Sequence, residues 1–178
     1  MERVCVFIDG SNFYYGLKSL NLNNKKLDFF KLGELLAGKK RKLVRVYYYN
    51  APLDQAMNKE KYKAQQRFFE ELKKTRKVSV ILCRMQKRKI DEKIIYAVKE
   101  DDIRIAVDML RYAYNNAYDT AILVSGDGDF VPAVTAVQEL GKSVEHAYFK
   151  IGHSYHLKQT CDDSFLLDEK FIKKCLKK

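Results

Sequence analysis

Close cysteine pairs and His-rich stretches are both missing from the 178 residues: Cys5, Cys83, Cys161 and Cys175 are scattered, and there are three histidines. The spacing excludes a zinc ribbon or a Cys-x-x-Cys redox motif and leaves buried thiols as the expectation. Cys161 with His153 and His156 is the one grouping that suggests a metal cluster, and a packed thiol near two surface imidazoles accounts for it more simply. Proline is nearly absent, at Pro52 and Pro132 only, and no linker, low-complexity tract or internal repeat interrupts the chain. A single domain spanning 1–178 is therefore expected. Missing too are a phosphate-cradling Gly-Lys-Ser/Thr loop and a Gly-rich dinucleotide fingerprint, which excludes nucleotide-cofactor readings. The first apolar run, Val4 to Ile8, stops at Asp9 and is too short for a signal peptide or membrane span, so a cytoplasmic protein without membrane attachment is expected.

What the sequence has in excess is positive charge. Lys and Arg number 34 against 23 Asp and Glu, a formal net charge of +11. This favours a polyanionic partner, although a Lys-rich solvated surface explains charge alone equally well. The basic cluster Arg84 to Lys89, with Lys87, Arg88 and Lys89 at its centre, and Lys99 further on are candidate phosphate contacts. A helix expected over Met57 to Thr75 sets Tyr62, Phe69 and Leu72 on one face and Lys59, Lys61, Lys63, Arg67, Lys73 and Lys74 on the others.

Short β-rich apolar runs recur at Val4 to Ile8, Leu43 to Tyr49, Val78 to Cys83, Thr120 to Val124 and Ser143 to Tyr148. Helical stretches separate them, at Phe13 to Leu20, Phe29 to Leu36, Met57 to Thr75, Asp102 to Asn115 and Val131 to Leu140, with Glu169 to Leu176 closing the chain. This alternation predicts βαβ units and an α/β fold with a central, mostly parallel sheet. Ile94 to Val98 reads as a short edge strand that could pair two copies of the chain into a homodimer.

In such a sheet, ligands bind where strands end and helices begin. Asp9 closes the first apolar run, and Asp127 and Asp129 follow the fourth in Ser125-Gly126-Asp127-Gly128-Asp129. Each alone could merely cap a helix; all three at such positions suggest a site. The stretch Glu100 to Leu110 adds Asp101, Asp102 and Asp108. Helical spacing puts Asp101 and Asp108 on one face with Asp102 turned away, so the helix by itself does not decide which acid reaches the site. Asp108 lies in apolar surroundings, where a carboxylate must be paired or face an open site.

Several carboxylates held together repel, and a divalent cation relieves the conflict. All-oxygen donors favour Mg²⁺ or Mn²⁺ over zinc. The chemistry expected of such a site is phosphodiester hydrolysis without a covalent intermediate, with Asn12 and Ser125 beside the acids to orient water or a phosphate oxygen.

Phe7-Ile8-Asp9-Gly10-Ser11-Asn12-Phe13-Tyr14, the Lys99 to Leu110 segment, Leu123 to Pro132 and Ser154 to Leu157 with Asp162 to Leu166 resemble the motifs of the NYN domain, most closely its LabA/DUF88 group. The resemblance covers nearly the whole chain. It implies a PIN-like three-layer α/β/α sandwich related to flap nucleases, and a metal-dependent ribonuclease activity acting on RNA. It also implies a pocket of Asp9, Asn12, Asp102, Asp108, Ser125, Asp127 and Asp129, preferring Asp102 to Asp101. Asp9, Asp102, Asp127 and Asp129 would be the metal ligands and catalytic acids. Two departures stand out: the additional acid that PIN nucleases take from an earlier helix has only Glu34 as a candidate, and Glu100 replaces a glycine in the Lys-Gly-x-Asp pattern.

Two other readings compete. One is a non-catalytic RNA-binding or regulatory module with the same fold. The other is a phosphatase of the haloacid dehalogenase type, which needs a second Asp where this chain has Ser11.

Overall fold

In the computed structural model, which describes residues 1–23, 26–56, 58–90, 93–98 and 100–177, with the backbone alone at 85–90 and 93–98, the strand runs assemble as the sequence predicts. Six strands, β1 (Arg3–Asp9), β2 (Lys42–Asn50), β3 (Val78–Leu82), β6 (Thr120–Val124), β7 (Ser143–Tyr148) and β8 (Asp163–Leu166), form one sheet in the order β3-β2-β1-β6-β7-β8. Every pairing in it is parallel. The chain moves from β1 outward through β2 and β3, then returns to the other side of β1 and moves outward again through β6, β7 and β8. The order therefore reverses between β1 and β6, which opens a crevice at their carboxyl ends.

Alternation along β1 explains the two covered faces. Val4, Val6 and Ile8 pack with Phe13 and Leu17 of α1 (Gly10–Ser19), Leu32 of α2 (Phe29–Ala37), Phe69 of α3 (Lys59–Lys73) and Ile172 of α7 (Glu169–Lys174). Cys5 and Phe7 point the other way, to Ile105 and Met109 of α4 (Asp101–Tyr114), Val134 of α5 (Val131–Glu139) and Leu157 of α6 (Tyr155–Thr160). Residues two apart share a face and neighbours oppose, so an unbroken apolar strand is what a three-layer sandwich requires. All four cysteines are buried free thiols. No helix among the described residues is long and apolar enough to cross a membrane.

Three differences from the sequence reading have physical causes. Ile94 to Val98 does form a strand, but not at the edge of the main sheet: β5 (Lys93–Val98) pairs antiparallel with β4 (Met85–Ile90) in a separate two-stranded ribbon. The true edges are β3 and β8. β8 escapes a periodicity search because its four residues, Asp-Ser-Phe-Leu, are only half-buried or exposed. α6 escapes it because six residues bury one side chain, Leu157.

Candidate acidic site

The crevice between β1 and β6 is where the acids gather. Ile8 pairs with Val124, so the next residues, Asp9 and Ser125, leave adjacent strands side by side. The Ser125 hydroxyl donates to Asp9 Oδ2 at 3.0 Å and accepts the Asp127 N–H at 3.1 Å, tying the two strand ends together. The other Asp9 oxygen, Oδ1, caps α1 by accepting the Asn12 N–H at 3.0 Å. Asp127 in turn caps the 3₁₀ turn Gly128–Phe130 by accepting the Asp129 N–H at 2.9 Å. The capping role therefore exists for both acids. It uses one oxygen of each and leaves lone pairs over, since a carboxylate accepts at about four positions.

The loop that carries Asp127 and Asp129 is pressed from outside. A Cβ at Gly126 would run into the backbone carbonyl of Gly152, and one at Gly128 would stand 2.9 Å from Ser154 Oγ. The Ser154 N–H donates to the Gly126 carbonyl at 2.9 Å. Two glycines are thus needed for the 150–154 loop to lie against the acidic loop. Beneath both, fully buried His146 places Nε2 2.6 Å from the Ser125 carbonyl oxygen, so this nitrogen carries the proton. Burial lowers the His146 pKa and favours the neutral ring. No pattern in the sequence singles out His146, which reads simply as one residue of a strand.

From the opposite layer, α4 directs its N-terminal turn at the same crevice. Both acids of that turn take part. Asp101 is buried and its charge raises the pKa of Asp9, after the larger effect of burial. Asp102 is half-buried, and its carboxyl is pushed up to about 6, first by burial and then by Asp101, Asp9, Asp127 and Asp129. Helical spacing leaves open which of the two reaches the site, and the family resemblance prefers Asp102 to Asp101. The near-complete burial of Asp101 beside a second carboxylate could be found only once the helix was docked.

Asp108 is elsewhere. Two turns along α4, it is buried under Arg104, Arg111 and Tyr49: Arg104 Nε donates to Oδ2 at 3.1 Å and the Tyr49 hydroxyl to the same oxygen at 3.2 Å. Arg111 Nη2 stands 2.9 Å from Oδ1 as a charge contact outside hydrogen-bonding geometry. Its charge is not among the leading influences on Asp9 or Asp102. The pocket that the resemblance implies includes Asp108, whose carboxylate the structure pairs with its own helix's arginines. Glu34 is exposed on α2, away from the core face formed by Leu32, Gly33 and Leu36. Lys87, Arg88 and Lys89 lie on β4, and Lys99 lies outside the described residues.

Among the described residues no salt bridge involves Asp9, Asp101, Asp102, Asp127 or Asp129. Five hard oxygen donors without a counter-charge suit a hard divalent cation. As they stand, no three of them, nor any other His, Cys, Asp or Glu set among the described residues, converge into a group that would hold an ion. That openness fits an ion such as Mg²⁺, which keeps several waters and needs only one or two carboxylates from the protein.

The NYN domain family model matches residues 3–168, a span that includes every acid of the crevice. The chain is a member of the NYN domain family. The crystal structure of a protein of unknown function from Vibrio parahaemolyticus matches 99% of this chain and 96% of its own, with a TM-score of 0.73 at 22% identity. That likeness establishes the fold, which is PIN-like. No curated protein matches the chain. As an NYN domain the chain falls in the PIN-like nuclease superfamily, and its acids occupy the switch point of the sheet.

Proposed function

We propose that this NYN domain is an endoribonuclease that hydrolyses RNA phosphodiester bonds at the acidic crevice with Mg²⁺ or Mn²⁺. The observation carrying the reading is the set of carboxylates around the β1/β6 switch point: burial and then the charges of Asp101, Asp9, Asp127 and Asp129 raise the pKa of Asp102, and none of the five forms a salt bridge among the described residues. Asp9, Asp102, Asp127 and Asp129 would hold the ion, one or two of them directly and the others through its water shell, with Asp101 adding charge. When bound, a divalent ion supplies charge neutralisation for the phosphate and a lowered pKa for water.

The chain's own residues account for the rest. Ser125 is spent on bridging Asp9 to the Asp127 N–H, so it fixes the spacing of two carboxylates. His146 holds the Ser125 carbonyl from below and thereby positions that hydroxyl. Asn12 fixes the orientation of Asp9 through its N–H, and its half-buried side chain would be the one to orient water or a phosphate oxygen. The net charge of +11 draws RNA toward a site that is itself negative.

A second reading, an RNA-binding or regulatory module without turnover, is favoured by the absence of a closed three-donor set among the described residues. One experiment separates the two. Purified protein incubated with end-labelled RNA and Mn²⁺ should cleave it, and EDTA or Asp127→Asn should abolish cleavage. RNA that binds but stays intact under all metals would establish the module instead.

A further inference from the structure

Two stretches of chain that border the crevice have an unusual composition. From Gly10 to Leu27 and again from His146 to Cys161 there is no acidic residue, although the chain holds 23. Both carry lysines, Lys18, Lys25 and Lys26 in the first, Lys150 and Lys158 in the second. Both also expose tyrosine: Tyr14 is 47% and Tyr15 66% exposed on α1, and Tyr155 is 69% exposed at the start of α6. A tyrosine ring in water leaves apolar area unburied, and three such rings close to one site call for a partner.

Both helices that carry these rings start at the crevice, α1 capped by Asp9 and α6 by Ser154, whose N–H binds the Gly126 carbonyl. α1 begins at Asp9, and with a rise of about 1.5 Å per residue Tyr14 and Tyr15 lie roughly 8–9 Å along the helix from it. Their rings meet edge to face at 5.7 Å between centroids, presenting a pair rather than two separate side chains. The next residue, Gly16, has no room for a Cβ because the Phe149 ring occupies the space, which locks α1 to the end of β7. From Phe149 the chain runs through Lys150 to Ser154, where the Ser154 N–H binds the Gly126 carbonyl, and Tyr155 follows directly. The tyrosine pair and Tyr155 thus flank the loop that lies against Gly126 and Gly128, one on each helical layer.

We propose that Tyr14, Tyr15 and Tyr155 are a stacking platform for the unpaired bases of single-stranded nucleic acid, with Lys18 and Lys150 meeting its phosphates. This rests on the nuclease or nucleic-acid-binding reading of the crevice and adds what it selects. A single strand can turn its bases onto exposed rings while its backbone crosses the acids. In a duplex the base faces are already stacked and cannot reach the rings. The acid-free borders keep the path attractive to a polyanion up to the point where the carboxylates begin.

The test is binding, made in the Asp127→Asn protein so that no substrate is consumed. Fluorescence anisotropy with a labelled single-stranded RNA and with the same RNA annealed to its complement gives two affinities at fixed salt. Changing Tyr15 or Tyr155 to Ala is expected to weaken single-strand binding about tenfold each, and Tyr→Phe to stay within about twofold, because stacking needs the ring and not the hydroxyl. Duplex affinity should be unchanged in all of them. Equal losses on both RNAs, no loss in the Ala variants, or a loss in the Phe variants as large as in Ala would overturn the platform. Tyrosine-dependent single-strand binding in a wild-type protein that never cleaves would uphold the platform and refute the nuclease reading, so the two fail separately.

Discussion

The two ends of α4 treat a buried aspartate in opposite ways. At its N-terminus Asp102 feels the charges of Asp101, Asp9, Asp127 and Asp129, Asp101 is the buried one of the helix's two acids there, and no cation among the described residues pairs with them. Two turns on, Asp108 is equally buried and is held between Arg104, Arg111 and Tyr49. Outside the crevice Asp119 and Glu145 follow the same rule, paired with Arg3 and Arg41. A chain with 34 basic residues had the means to neutralise the first cluster as it did the others. Holding like charges together without a counter-charge works against folding, and groups perturbed in this way cluster at functional sites.

The comparison breaks most visibly in turnover. Asp102→Asn should lower the RNA cleavage rate more than about 100-fold, a loss of roughly 2.7 kcal/mol or more in transition-state stabilisation. Asp108→Asn should leave the rate per folded molecule within a few-fold. Equal losses in the two variants, measured with the folded fraction of each known, would mean that Asp108 serves the reaction and that the two ends of α4 form one site.

Stability should invert that ranking. Asp108→Asn leaves two arginines around a neutral amide and turns one of the two acceptor oxygens into a donor facing them, which should cost about 2–4 kcal/mol, softened because both arginines are half exposed. At roughly 2–4 °C per kcal/mol in a chain of this size, the melting temperature should fall by about 5 °C or more. Asp102→Asn removes one of several repelling charges and should melt no lower than the wild type in EDTA. A drop for Asp102→Asn as large as for Asp108→Asn would show that the crevice acids stabilise the fold as they stand.

How much of this was legible beforehand follows the same division. The runs at Val4 to Ile8 and Ala121 to Val124 are apolar throughout because both sheet faces are covered, and that alone announces their strands and so the positions of Asp9 and Asp127. Asp101 and Asp108 were predicted to share a helical face, and both are indeed buried while Asp102 is half so. What the sequence leaves open is which partner a face meets. The same face puts Asp101 against carboxylates and Asp108 against arginines, a difference of docking that no spacing encodes. His146 and the ribbon β4–β5 were hidden for the same reason: one is identified by a carbonyl 21 residues away, the other by a choice of strand partner.

A smaller effect sharpens the contrast between compensated and uncompensated acids. Mg²⁺ in excess should raise the melting midpoint of the wild type, since an ion that binds only the folded state stabilises by RT ln(1 + [L]/Kd), about 1–3 kcal/mol at 5–100 times Kd. Asp102→Asn and Asp127→Asn should lose most of this, whereas Asp108→Asn should keep it in full. Thermal melts in EDTA, Mg²⁺ and an ionic-strength control of Na⁺ distinguish a bound ion from general screening of the acids. A rise of equal size in Na⁺ would remove the case for a specific ion.

The smallest effect belongs to a compensated acid that lies partly exposed. Asp119 is held by Arg3 through its Nη2 at 2.7 Å, its Nε at 3.1 Å and its backbone N–H at 2.8 Å, and these bonds lower its pKa to about 2. A free Asp titrates near 3.9. The folded value is the lower one, so the stabilisation is complete above about pH 4 and drains away as the pH falls through the folded value near 2. With both side chains more than a third exposed, solvent screening limits it to about 0.5–1 kcal/mol. Urea denaturation should therefore find Asp119→Asn weaker than wild type by that amount at pH 6, with the gap closing toward pH 2. A gap that persists undiminished at pH 2 would assign the loss to packing around β1 instead of to the ion pair, and would remove Asp119 from the compensated acids with which the crevice is contrasted.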